Sequence, residues 1–396
     1  MKIYLDNAAT TKVDEKVLKE MIPYFNVNYG NASSMHLSGN TAKNALDKAR
    51  KIIAKSINAK TSEIYFTSGG TESANWALKG LFWQNQKLKT GKNHLITTKI
   101  EHNCILKTGE RLESQKGKVT YLDVDKKGFI NLEDLKKAIT PQTFLVSIIH
   151  GNNEIGTIQH IDEIGKICKE KKVLLHLDAC QSYTKVPINV KKQNIDLLTI
   201  NSHKIHGPKG VGALYIKENI KITYLLHGGG HEKGYRSGTE NIPGIVGFAK
   251  AVEVSKSKEI KKMQELRDKL INRILKEIPN TILNGPTGGP TSKKGSSQWE
   301  DQRLANNINI SFNNIEGESI GGYLENQGIF VSTGSACMSN TLKSSHVLKA
   351  IGLQPLQANS SIRMSLSKYT TEKDIDYVMK KLPNIVKKLR RLSPIK

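Results

Sequence analysis

The chain is poor in cysteine. Its 396 residues carry four, Cys104, Cys168, Cys180 and Cys337, widely spaced and without a Cys-x-x-Cys pair. That spacing argues against a disulfide framework or a thiolate zinc site and leaves room for one reactive thiol. No stretch approaches the roughly 18 consecutive apolar residues of a membrane span, and mean hydropathy is −0.42. Met1-Lys2-Ile3-Tyr4-Leu5-Asp6 lacks the apolar core of a signal peptide, so a cytoplasmic protein is expected. Aromatic residues are scarce, at 6%, and none is interleaved with basic clusters, unlike a stacking platform for single-stranded nucleic acid. Acidic residues are also short, 36 against 60 lysines and arginines, for a formal charge of +24. The surplus sits in mixed-charge runs such as 256–276 and reads as solvated surface. An acidic partner or a tRNA is the alternative, and direct nucleic-acid binding is not expected.

What the chain does have is a rhythm of short apolar runs. They fall at 64–67, 95–98, 119–124, 144–149, 173–177, 197–200 and 211–216, with helical segments such as 131–139 and 161–171 between several of them. Strongly apolar strands alternating with helices predict a mostly parallel seven-stranded sheet covered on both faces. Before it, Asp14 caps a helix and a longer helix is predicted over 39–57. After it, an amphipathic helix over 260–278 leads into a smaller α+β unit. Residues 285–307, rich in Gly, Pro, Ser, Lys and Gln, read as a mobile surface loop. A half-buried strand follows at 308–312, a helix at 317–326 and a last helix from about Glu372. The fold class is thus α/β, with a large unit over 15–259 and a small one made of 1–14 and 260–396.

Ligands of such sheets bind beyond the carboxyl ends of the strands, so the residues there carry the functional argument. Between the last two apolar runs stands Asn201-Ser202-His203-Lys204-Ile205-His206-Gly207-Pro208-Lys209-Gly210. A lysine held there is a buried cation with partners, a nucleophilic amine of lowered pKa, or part of a basic turn. Thr67-Ser68-Gly69-Gly70-Thr71 opens a helix after a strand, which suits a phosphate as well as a simple cap. Asp178 ends another strand; it either caps the next helix or meets a cation, and a pyridinium nitrogen is such a cation. His102 follows a strand and can stack on a planar cofactor and move protons, although a lone histidine is more often structural. Asn152 and Asn153 offer amide donors. Arg363 is either a bidentate carboxylate clamp or half of a surface ion pair. Cys337, in the Gly/Ser-rich run 332–339, is poorly placed for a core residue and suited to a nucleophile.

These segments together resemble the cysteine desulfurases of the NifS/IscS type, within the class V aminotransferases of pyridoxal-phosphate fold type I. The resemblance spans nearly the whole chain and rests on collinear strings: YLDNAATT, YGNASSMH, FTSGGTES, NNEIG, HLDACQ, SHKIHGPKGVGALY, RSGTEN, GSAC, SIRMSL and TTEKDID. It implies pyridoxal 5′-phosphate as cofactor, with Lys204 as the Schiff-base lysine and His102 stacked on the ring as acid/base. It implies Asp178 on the pyridinium nitrogen and Gln181 on the ring hydroxyl. Gly70, Thr71, Ser202 and His203 would bind the phosphate, joined by Thr239 from the second subunit of a homodimer. Asn153, also beside the cofactor, and Arg363 would hold the carboxylate of L-cysteine. Cys337 would take the sulfur as a persulfide, leaving alanine, and pass it to an iron–sulfur scaffold protein or a tRNA-thiolation acceptor. No metal site is implied beyond contact of Cys337 with an iron–sulfur cluster through such a scaffold. Gly70 departs from the family's usual alanine, 285–303 looks inserted, and the short C-terminus puts scaffold binding in question. A selenocysteine lyase or another class V aminotransferase is the alternative, and a thiol in the GSAC string disfavours a plain aminotransferase.

Overall fold

The computed structural model describes residues 2–288, 302–333 and 344–394. Cys337 and residues 289–301 of the low-complexity stretch lie outside them. In chain order the strands are β1 (Ile3–Tyr4), β2 (Ile64–Thr67), β3 (His94–Thr98), β4 (Lys118–Leu122), β5 (Thr143–Ile149) and β6 (Leu174–Asp178). They continue with β7 (Leu197–Asn201), β8 (Gly212–Ile216), β9 (Thr281–Leu283), β10 (Asn307–Phe312), β11 (Ile329–Phe330) and β12 (Ser361–Ser365).

The central sheet has seven strands in the order β2-β8-β7-β6-β5-β3-β4. β8 is antiparallel to both its neighbours, and the remaining pairs are parallel. The reversal follows from chain length. Only residues 202–211 join β7 to β8, fewer than the dozen or so that a parallel crossover takes. Lys204 therefore sits on a tight reversal at one rim of the sheet, where β2, β3, β5 and β6 also end.

Alternation along the strands feeds two apolar layers. Phe66, Leu198 and Ile200 pack with the helices Leu37–Ser56 and Ile242–Val254. Tyr65, Leu197 and Leu214 pack with Gly70–Lys87 on the opposite face. The helix Leu37–Ser56 forms because Ala42, Leu46, Ala49 and Ile53 recur on one buried stripe. Its first turn is capped by His36 Nδ1, which accepts from Gly39 N. Histidine rings inside the sheet find hydroxyl partners. His176 bridges Ser147 Oγ and Thr199 Oγ1, each at 2.9 Å, and burial lowers its pKa to about 4, so the ring is neutral.

A second assembly packs β9, β10 and β12 as an antiparallel sheet against the helices Ser257–Glu277 and Glu372–Leu392. Ile3 and Leu5 belong to this core. β1 pairs in parallel with β11, and Asn7 Nδ2 donates to Ser365 O at 2.8 Å. The expectation of a surface loop up to residue 307 fails at its C-terminal end. Arg303, Leu304 and Asn306 are buried. Arg303 donates to the carbonyls of Pro286 and Asn284 and to Asn307 Oδ1, while fully buried Arg267 donates to the carbonyls of Arg303, Leu304 and Gly288. Two guanidinium groups thus supply the donors that let polar backbone stay inside.

The 228–240 segment is anchored by a buried pair. Arg50 meets Glu232 through two bonds of 2.7 and 2.6 Å, and Glu232 also accepts from Phe66 N at 2.8 Å. Glu232→Ala strands a buried guanidinium and a sheet-edge amide. A loss on the order of 3 kcal/mol is expected, read as a lowered denaturant midpoint relative to an exposed control such as Glu218→Ala.

Candidate active site

The lysine turn is built tightly. Ile205 N and Gly207 N both return to Ser202 O, at 3.0 and 3.1 Å. A Cβ at Gly207 would lie 1.9 Å from Ser202 Oγ, so only glycine closes this turn. The N-terminal segment buttresses it: Thr11 N and Oγ1 donate to His203 O, and His206 N donates to Thr11 Oγ1. His203 Nδ1 is 3.2 Å from Thr10 Oγ1, and burial, then Lys204, lowers its pKa to about 4. Lys204 O accepts from Lys185 Nζ, which also holds Gln181 O. Burial, then Lys204, brings Lys185 down to about 7.

Around this turn the strand ends deliver the predicted partners. The helix Gly70–Lys87 starts without a side-chain cap, so its first amides remain available to an anion. Glu72 accepts from Ser68 N and from Arg236, which ties the 236–240 segment to that helix start. Thr239 is exposed, in a cavity of about 540 Å³ with Ser68, Gly210 and Arg236. Thr71 is also exposed at the helix start. Ser202 Oγ is buried and without a hydrogen-bond partner among the described residues.

Asp178 is buried at the end of β6, and its Oδ1 accepts from Cys180 N at 3.0 Å. Gln181 turns Nε2 to Ala8 O at 2.9 Å, so Oε1 is the end left for a ligand. His102 caps the helix Asn103–Glu113, accepting from Cys104 N through Nδ1. Burial lowers its pKa, Lys204 lowers it further and Asp178 opposes, so the neutral ring keeps Nε2 for proton exchange.

Arg363, on β12, is buried rather than at the surface. It pairs with Asp6 at 2.9 Å and reaches Asn153 O at 3.3 Å. Its Nε is buried and unpartnered among the described residues, as a carboxylate site requires. On one side of Cys337, the backbone of Ser332 pairs with Arg363. On the other side Ser345 Oγ meets Glu154 Oε2 at 2.5 Å. Cys337 itself lies outside the described residues.

Sequence reasoning missed Glu101. It is fully buried, accepts from Thr98 Oγ1 and Ile149 N on Oε1, and burial raises its pKa to about 8. It stands behind His102 as a neutral acid; its place between a strand end and His102 was the available signal. A carboxyl whose folded pKa lies above the unfolded value stabilises fully below the unfolded pKa and loses that contribution as pH rises through the folded one. Glu101→Gln is therefore expected to melt close to wild type near pH 5 and to gain on it steadily up to pH 8. A difference in melting temperature that stays flat across this range refutes a neutral buried Glu101.

The class-V aminotransferase family matches residues 3–378. Cysteine desulfurase IscS of Clostridium botulinum is 49% identical over 397 aligned residues, covering 100% of this chain and 96% of that protein. A solved NifS-like protein superposes with a TM-score of 0.89 at 40% identity, covering 98% of this chain and all of that one. SspA, solved in complex with cysteine, gives 0.80 at 37% identity over 93% of this chain and all of that one. With that agreement over its full length, the chain belongs to the class-V aminotransferases and, within them, to the cysteine desulfurases.

Proposed function

We propose that this chain removes sulfur from L-cysteine, yielding L-alanine and a persulfide on Cys337 for iron–sulfur cluster assembly or tRNA thiolation. The observation that carries the reading is the gathering of Lys204, Asp178 and His102 at one sheet rim, with His102 in electrostatic reach of both the others.

The family depends on pyridoxal phosphate, and the residues present fit it. The unpartnered Ser202 Oγ and the uncapped helix at Gly70 suit a phosphate. Buried Asp178 suits a protonated ring nitrogen. When bound, the cofactor supplies an electron sink for the bonds at the substrate's α-carbon. Lys204 would be the residue that holds it through its amine. Asp178 would keep the ring nitrogen charged, Gln181 Oε1 would accept from the ring hydroxyl, and His102 would lie beside the ring with Nε2 available to exchange a proton. Gly70, Thr71, Ser202 and His203 hold the phosphate. Arg363 and Asn153 orient the substrate carboxylate, with Asp6 keeping the guanidinium in place. The Cys337 thiolate attacks the substrate sulfur; a bond from sulfur to Cys337 forms as the carbon–sulfur bond breaks, and the departing electrons pass to the carbon framework that becomes alanine.

A homodimer belongs to this proposal, with Thr239 reaching the second subunit's phosphate. It is supported by apolar side chains left exposed along one short segment, Phe25, Val27, Tyr29, Met35 and Leu37. The division into a large unit, 15–259, and a small one, 1–14 with 260–396, is supported by separate apolar cores. A cytoplasmic location is supported by the free thiols of Cys104, Cys168 and Cys180.

Incubation with L-cysteine, with alanine and sulfide assayed and the persulfide located by mass spectrometry, tests the reading. Alanine without sulfide, or a persulfide elsewhere than Cys337, overturns it. Arg363→Lys, which loses the bidentate fork but keeps the charge, is expected to raise KM for cysteine about 10- to 100-fold with a smaller change in kcat.

A further inference from the structure

The start of the helix Gly70–Lys87 packs so closely on its neighbours that a side chain at position 70 has nowhere to go. A Cβ built on Gly70 lies 2.5 Å from Cys180 Sγ, 3.4 Å from Asn201 Nδ2 and 3.8 Å from Thr199 Cγ2. The last two are tolerable contacts; the sulfur is the obstacle. Gly70 is not among the glycines with a left-handed backbone, so its backbone does not demand glycine. The Cys180 thiol does.

Nor can that thiol turn aside without consequence. Cys180 N is bonded to Asp178 Oδ1 at 3.0 Å. Burial, and then the Asp178 charge, keep the thiol protonated. Cys180 thus touches the helix start proposed for the phosphate through its sulfur and the carboxylate proposed for the ring nitrogen through its main-chain N–H.

We propose that Gly70 and Cys180 are a size-matched pair of positioning residues. Together they set the distance between the phosphate-binding helix start and Asp178, so that grip on the cofactor depends on the two side chains jointly. The proposal rests on the pyridoxal-phosphate reading above. Neither residue reacts; each acts through the helix start or through Asp178.

The test is a four-protein cycle: wild type, Gly70→Ala, Cys180→Ala and the double variant, each stripped of cofactor and titrated with pyridoxal phosphate. Gly70→Ala is expected to weaken binding about tenfold or more, within the usual range for coupled neighbours, and to shift the absorption band of the bound cofactor. Cys180→Ala should change Kd by no more than about threefold, and the double variant should return to within about threefold of wild type. Wild-type binding by Gly70→Ala, or a double variant as weak as Gly70→Ala, overturns the pairing. A wild type that takes up no pyridoxal phosphate overturns the cofactor reading instead. The melting temperatures of the same four proteins then decide the packing half: additive effects refute it, and rescue in the double variant upholds it.

Discussion

A Lys204→Ala protein is expected to purify without the yellow colour of the bound cofactor and to release no measurable sulfide from cysteine, a loss of at least about 10⁴-fold. The expectation comes from the turn. Lys204 is held on a closed reversal between two buried strands, and among the described residues the neighbouring amine, Lys185, is already engaged, donating to Gln181 O and Lys204 O. The contact to Lys204 uses a main-chain carbonyl, which alanine keeps, so the variant should fold with a wild-type melting temperature. A coloured Lys204→Ala protein with residual turnover would place the anchor elsewhere.

Cys337→Ser is expected to keep the colour and to bind cysteine, shown by a spectral change on mixing, while sulfide and alanine production falls by about 10³-fold or more. A serine hydroxyl is not ionised near neutrality and does not carry sulfur as a persulfide. The other cysteines offer no substitute. Burial raises the thiol pKa of Cys168 to about 12, and burial with Asp178 raises those of Cys104 and Cys180, so none is a thiolate at working pH. The described residues on either side of Cys337 meet residues of the proposed substrate site or their neighbours, since Ser332 is paired with Arg363 and Ser345 with Glu154. Sulfide release by Cys337→Ser at the wild-type rate would remove it from the reaction.

Much of this was legible in the sequence. The seven sheet strands fall on the predicted apolar runs to within a residue or two, because a sheet buried on both faces demands continuous apolar segments. Asp14 caps its helix as expected, accepting from Lys16 N. The residues after the strands gather at one rim because parallel topology sends them there. What was not legible depends on partners distant in the chain. Arg363 reads as a clamp or a surface pair from sequence, and its burial and its pairing with Asp6, 357 residues away, set the surface reading aside. Gln181 gives no local hint that Ala8 takes its amide donor. Residues 302–306 look like loop by composition, yet Arg267 and Arg303 satisfy the buried carbonyls that such a composition would leave bare. Glu101 reads as an ordinary acid until its burial removes its charge.

The pairing of β1 with β11 and of Asn7 with Ser365 has a consequence for synthesis. Asn7 and Ser365 are 358 positions apart, so Ile3 and Leu5 leave the ribosome long before the residues that bury them. The central sheet contains only residues between 64 and 216 and can assemble while the rest is still being made. The outer three-stranded sheet cannot close until β12 emerges. The loop closure is long, and loop closure of this kind slows folding. In the interval an apolar amino-terminal segment is exposed, which is where chaperone capture or misassembly acts on a nascent chain. Thr11, a few residues further on, also braces the turn that carries Lys204, so that bracing comes from the same amino-terminal segment that waits for β12.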